Sequence, residues 1–195
     1  EDGYYLADPE IMDAYVNGNK ALVTEAVGNG TAVTAIYSLA VSSGLHGQAV
    51  SFLDGSDVTV ALFAAGSAQP QYTVTVPAGE KSGGKYTAVY DIPSVAAGTY
   101  TVQVSKKNHV TREYTVTVGG DVKTLNTEIR LLGDVNGDGR VNAMDCTRLF
   151  KHVNKTQQLT DPYALKCAET NGDGRVNAMD CTRLFKHVNK TQLLW

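Results

Sequence analysis

Two stretches of the chain place oxygen-bearing side chains at fixed intervals: DVNGDGRVNAMD from Asp134 and ETNGDGRVNAMD from Glu169. In each twelve-residue run they occupy the first, third, fifth, ninth and twelfth places. These are Asp134, Asn136, Asp138, Asn142 and Asp145, then Glu169, Asn171, Asp173, Asn177 and Asp180. A hard cation such as Ca²⁺ takes about six to eight oxygens at roughly 2.3–2.6 Å, and a loop supplies them by turning alternate side chains inward. Glycine at the sixth place, Gly139 or Gly174, permits the sharp turn. The seventh residue, Arg140 or Arg175, offers only its backbone carbonyl, so its guanidinium is no objection.

This is the EF-hand loop pattern with two departures. Asp145 and Asp180 end the loops one methylene short of the usual Glu, and Glu169 opens the second loop with a longer arm than Asp134. The bland alternative is a surface turn rich in Asp, Asn and Gly; two such loops in series argue against it. Two calcium ions are expected. His152 and His187, one imidazole per copy, are weak metal signals and read as surface residues.

The repetition extends past the loops. NGDGRVNAMDCTRLFKHVNKTQ occupies 136–157 and again 171–192, without a substitution. Such a duplicate points to a recent duplication or to a surface that a partner reads. The run after each loop has helical period: Cys146, Leu149, Phe150 and Val153 form one apolar stripe, and Cys181, Leu184, Phe185 and Val188 repeat it. Asp161-Pro162 predicts a short helix, YALKCA, between the copies. The three Cys read as small core hydrophobes rather than as a disulfide or a zinc site.

Upstream, residues 45–130 predict an all-β module. HGQAVSF, DVTVALF, PQYTVTV, KYTAVYDI, GTYTVQVS, HVTREYTVTV and VKTLNTEI alternate with turn clusters, as in an immunoglobulin-like or transthyretin-like sandwich. Parity puts Val58, Val60 and Leu62 on one face, with Tyr72, Val74, Val76; Tyr100, Val102, Val104; and Tyr114, Val116, Val118. The Tyr residues keep step with Val, so they belong to the core, which argues against a sugar-binding platform. The first and last core strands offer no inward Lys and Asn for an isopeptide bond. Residues 1–44 predict a helix from Asp8-Pro9 to Asn17-Gly18, then a hairpin of ALVTEAV and TAVTAIYSLAV around GNG. This segment is an accessory layer or an upstream remnant. The fold class is therefore mixed: a β-sandwich followed by a small, duplicated all-α module at 131–195.

Composition excludes several classes. Of 195 residues, 43% are hydrophobic and 19% charged, which suits a globular protein, and no apolar run reaches the length of a membrane span. Residues 1–130 carry 13 acids and 8 bases, net −5, and residues 131–195 carry 7 acids and 9 bases, net +2. Neither block suits nucleic acid or a membrane surface. The chain opens on Glu1 with no Met or signal peptide and reads as a cut from a longer protein. No G-x-S-x-G, H-E-x-x-H or P-loop occurs, so no enzyme is expected. A calcium sensor would want Met-rich helices and Glu at the twelfth place, and the chain has only 3 Met.

The span 131–195 resembles a dockerin, the calcium-binding module that plugs bacterial plant-fibre enzymes and scaffoldins into cohesins of a cellulosome. The duplicated Asp/Asn loop followed by one helix carries the resemblance. The β-module is similar to the immunoglobulin-like X-modules that precede some dockerins and serve as spacer or buttress. The resemblance implies secretion, polysaccharide catabolism by the parent, calcium-dependent folding and one cohesin partner on a scaffoldin or cell surface. The family's recognition pair maps to Ala143-Met144 and Ala178-Met179. Many clostridial dockerins have Ser/Thr there, so a different, ruminococcal specificity is the candidate. The implied cohesin contacts are Ala143, Met144, Arg148, Phe150, Lys151 and His152, with Ala178, Met179, Arg183, Phe185, Lys186 and His187. Two copies related by a half-turn would give a dual binding mode. The ends of the module, Leu131-Leu132 and Leu193-Leu194-Trp195, are expected to meet in a clasp.

Overall fold

The computed structural model describes residues 43–195 and, before them, three short strands: β1 (Ala14–Val16), β2 (Asn19–Val23) and β3 (Tyr37–Ser38). β1 and β2 are antiparallel with Val16 opposite Asn19, and β2 pairs with β3 through Leu22–Ser38 and Val23–Tyr37. The expected helix is thus contradicted at Ala14–Val16, which form a strand. Tyr15 and Val16, aromatic and β-branched, prefer strand. The helix start at Asp8-Pro9 and the GNG stretch lie outside the described residues. The chain divides into two units, 1–42 and 43–195.

In the second unit, alternation builds two sheets. One has the order β10 (Arg112–Val118), β9 (Gly98–Lys106), β5 (Val58–Ala64), β6 (Tyr72–Val76). The other runs β11 (Val122–Thr124), β4 (Gly44–Ser51), β8 (Lys85–Pro93), β7 (Lys81–Ser82), with β12 (Thr127–Glu128) also on β4. β11 and β12 lie parallel to β4 and all other pairs are antiparallel. The predicted last strand is split because Leu125 bends toward β4. Its N–H donates to the His46 carbonyl, and its own carbonyl accepts the Tyr90 hydroxyl at 2.6 Å. That carbonyl lies so close over Gly47 that any Cβ there would collide.

The facing sides carry the predicted residues. Val58, Val60, Leu62, Tyr100, Val102, Val104, Val116 and Val118 are buried, and Tyr72, Val74, Val76 and Tyr114 pack half-buried against them. Each fully buried Val or Leu contributes about 1.5–3 kcal/mol. The same parity delivers Lys106 inward at the end of β9, where it is buried. Its ammonium donates to Ser51 Oγ at 3.1 Å and to the carbonyls of Phe52 and Asp54 at 3.4 and 2.6 Å. These acceptors compensate for lost hydration.

Three helices complete the unit: α1 (Ala143–Val153), α2 (Pro162–Ala168) and α3 (Ala178–Val188). Val135, Leu149, Leu159, Ala164, Ala168 and Leu184 form their core. Phe150 and Phe185 leave the predicted stripe and are 60% and 61% exposed. Each follows the fully buried Leu by one residue, about 100° around the helix, which turns it to the flank. All three Cys are free, and burial pushes the Cys167 thiol up to about 12.

Sandwich and helices meet at Tyr163 of α2. Its hydroxyl donates to the Val110 carbonyl at 2.6 Å and accepts the Arg130 N–H at 3.0 Å, while the Arg112 guanidinium lies 4.6 Å from its ring. Lys166 pairs with Glu113 at 3.0 Å. The expected clasp is redistributed. Leu131 is buried and bridges to His109 of the sandwich, Leu194 packs over Gly133, and the Trp195 ring lies tilted against His187 with centroids 4.6 Å apart. Leu193 stays exposed.

Candidate metal loops and partner face

The first loop is organised by its end acids. Asp134 Oδ1 accepts the N–H groups of Gly137 and Asp138 at 2.8 and 3.2 Å, and Oδ2 accepts that of Gly139 at 2.9 Å. Asp145 Oδ1 accepts from Val135 and Asn136 at 2.9 and 3.0 Å, and its Oδ2 accepts from Asn142 at 2.9 Å. Gly137 and Gly139 take φ of +78° and +83°, which an L side chain resists. The ninth and twelfth residues also start α1. Asn142 is the N-cap, accepting the Met144 N–H at 2.7 Å, and Asp145 closes a capping box. Here a shorter acid than Glu is explained: Asp145 reaches back to its own cap and across the loop at once.

The second loop repeats most of this. Glu169 Oε1 accepts from Gly172 and Asp173 at 2.6 and 3.1 Å. Asp180 accepts from Thr170, Asn171 and Asn177 at 2.8, 3.2 and 2.9 Å, and Asn177 caps α3. In both loops the fifth residue accepts the N–H of the seventh, Asp138 from Arg140 and Asp173 from Arg175. That bond turns the Arg140 and Arg175 side chains out to solvent.

Electrostatics favour a cation in the first loop. Asp134 and Asp145 are fully buried. Burial, with repulsion from Asp145 and Asp138, pushes Asp134 up to about 6 against the pull of the glycine N–H groups. Burial likewise raises Asp145. Buried acids that repel one another are the arrangement a divalent cation relieves. Among the described residues no group of three or more His, Cys, Asp or Glu forms a metal cluster. The loops instead mix acids with Asn oxygens and a backbone carbonyl, the donor chemistry of a hard cation.

The outer sides of α1 and α3 form one face. Cys146, Thr147, Phe150 and their counterparts Cys181, Thr182, Phe185 line an apolar groove of about 450 Å³. Matching hollows of about 250 and 230 Å³ flank it, lined by Met144, Arg148 and Lys151 on one side and Met179, Arg183 and Lys186 on the other. Met144 and Met179 are each 65% exposed. Ala143 and Ala178 open the helices beside them, exposed. His152 and His187 have internal work: each Nδ1 accepts an N–H, from Leu159 and Leu194, at 3.1 Å. Their sequence signal was the repeat itself, which continues through KTQ to a Leu in both copies. Sequence reasoning missed Lys106 and Phe52 altogether; register from Val104 points to the first, and nothing local marks the second.

Residues 132–189 match the family model of the Dockerin type I domain. No curated protein sequence matches the chain. Among solved structures, it is similar to a chain in each of two type II cohesin–X-dockerin complexes from Acetivibrio cellulolyticus. One is a C-terminal interface mutant, 22% identical over 74% of this chain and 94% of that one, with a TM-score of 0.31. The other is an N-terminal interface mutant, 24% identical with the same coverages and TM-score.

Proposed function

We propose that this chain is a non-catalytic assembly unit whose dockerin binds one cohesin of a scaffoldin or cell-surface protein, anchoring a secreted parent in a cellulosome. The observation that carries the proposal is the duplicated, exposed face of α1 and α3 on a module that matches the dockerin family. The cohesin complexes among its structural neighbours fit that reading. Two calcium ions belong to it, held by Asp134, Asn136, Asp138, the Arg140 carbonyl and Asp145, and by Glu169, Asn171, Asp173, the Arg175 carbonyl and Asp180. Asn142 and Asn177 serve as helix caps at the ninth place. Calcium supplies positive charge that the clustered acids lack; the residues themselves set the turn, cap the helix and present the face. The sandwich acts as spacer and buttress through Tyr163 and the Lys166–Glu113 pair.

The equal exposure of the two Met supports a dual binding mode, in which a half-turn exchanges the copies. Losing one of two equivalent modes costs RT ln 2, about 0.4 kcal/mol. Against a panel of cohesins, Met144→Glu or Met179→Glu alone should weaken binding about twofold, and the double variant by orders of magnitude. Excess EDTA should abolish binding. Loss of binding from one single variant, with none from the other, would leave a single mode. No cohesin captured in calcium would end the proposal.

A further inference from the structure

The loops share an identical stretch, Asn136–Asp145 and Asn171–Asp180, yet they meet different neighbours. In the first, the Phe52 ring lies against Gly139 so closely that a Cβ would collide with it, and the Arg130 guanidinium lies 2.8 Å from where a Gly137 Cβ would be. In the second, nothing lies within 4 Å of the same positions at Gly172 and Gly174. Phe52 comes from the sandwich, one residue past β4, and is buried. Its backbone is held at both ends. The N–H donates to His109 Nε2 at 3.0 Å, and the carbonyl accepts from the buried Lys106, which also grips Ser51 and Asp54. The next residue, Leu53, sits at φ +69°, a conformation that the clamp maintains.

We propose that Phe52 is a latch on the first loop, so that this loop releases its cation more slowly than the second. The inference rests on the calcium reading. A loop frees a chelated ion by local opening. Opening the first loop draws Gly139 away from Phe52 and wets an apolar ring that, clamped by Lys106 and His109, does not follow. The second loop opens into solvent with no such contact to break. Identical ligand stretches thus acquire unequal kinetics from a residue some 80 positions upstream of the loop.

The full chain, loaded with calcium and mixed with excess fluorescent chelator in a stopped-flow cell, tests this. Two equal phases are expected, the slower by about tenfold or more, the factor that a buried aromatic contact commands. Phe52→Ala should move the slow phase toward the fast one and raise amide hydrogen exchange at Gly139 but not at Gly174. Asp173→Asn should remove the fast phase, which assigns the slow one to the first loop even if Phe52→Ala fails to fold. Two ions leaving at one rate would overturn the latch alone, as would loss of the slow phase in Asp173→Asn or an unchanged slow phase in folded Phe52→Ala. A chain that carries no calcium would overturn the calcium reading along with it.

Discussion

The two copies of the repeat are alike on their outer faces and unlike at their loops. Met144 and Met179 match in exposure, as do Phe150 and Phe185, because the neighbours that set them belong to the repeat itself. The loops diverge where foreign residues touch them. Asp134 is fully buried with Phe52 and Arg130 around its loop, whereas Gly172, Asp173 and Gly174 stand exposed. Symmetry of sequence becomes symmetry of surface only where the packing partners are duplicated too.

The largest test concerns the return after each helix. Leu159 is buried beneath α1, and its counterpart Leu194 is half-buried beside the chain's end. In buffer with excess calcium, Leu159→Ala should destabilise the chain by about 2–5 kcal/mol, and Leu194→Ala by roughly half as much, measured by denaturant unfolding. Equal losses would mean that the copies are more alike than their burial indicates.

A smaller effect separates the loops. Gly139 and Gly174 both take positive φ, +83° and +77°, so Ala at either costs about 1 kcal/mol in backbone strain. Only Gly139→Ala also drives into Phe52, adding about 1–3 kcal/mol of overpacking. Phe52→Ala should then partly rescue Gly139→Ala and leave Gly174→Ala unaffected, a double-mutant cycle read from melting temperatures. Additivity in both cycles would remove Phe52 from the loop.

The smallest effect is a pH dependence at the clamp. His109 Nδ1 donates to the Lys107 carbonyl at 2.7 Å while Nε2 accepts from Phe52, which requires the neutral ring. Burial holds its pKa below the ordinary value of 6.5, Lys106 acts in the same direction, and Asp54 and the Lys107 carbonyl oppose them. As pH falls through the ordinary histidine range, the unfolded chain takes up a proton that the folded ring refuses. Stability at this site is therefore complete above that range and declines below it. With calcium in excess, the melting temperature should drop between pH 7.5 and 5.5 by an amount worth about 1 kcal/mol or less, and His109→Gln should flatten part of that slope. An unchanged slope would remove His109 from the clamp's pH response.

Local chemistry alone determined much of this protein. Alternation placed Val58 to Val118 on the sandwich's inner face, since a strand's period of two leaves little choice once one side is buried. The spacing of Asp134 to Asp145 implied an oxygen-donor loop, and the repeat implied a doubled face. Short-range rules were weaker upstream: the Asp8-Pro9 start signal implied a helix, whereas Ala14–Val16 pair with β2 as a strand. Phe150 shows the limit of periodicity, because a stripe of period 3.6 has edges, and neighbouring helices choose which edge residue is covered. What only the tertiary structure decided lies between distant residues. Leu131 joined the sandwich rather than the terminal Trp195, His152 and His187 turned inward to the chain that follows each helix, and Phe52 came to rest on Gly139. No local pattern encodes such meetings, because they depend on how two hydrophobic cores, each satisfying its own burial, come to share a seam.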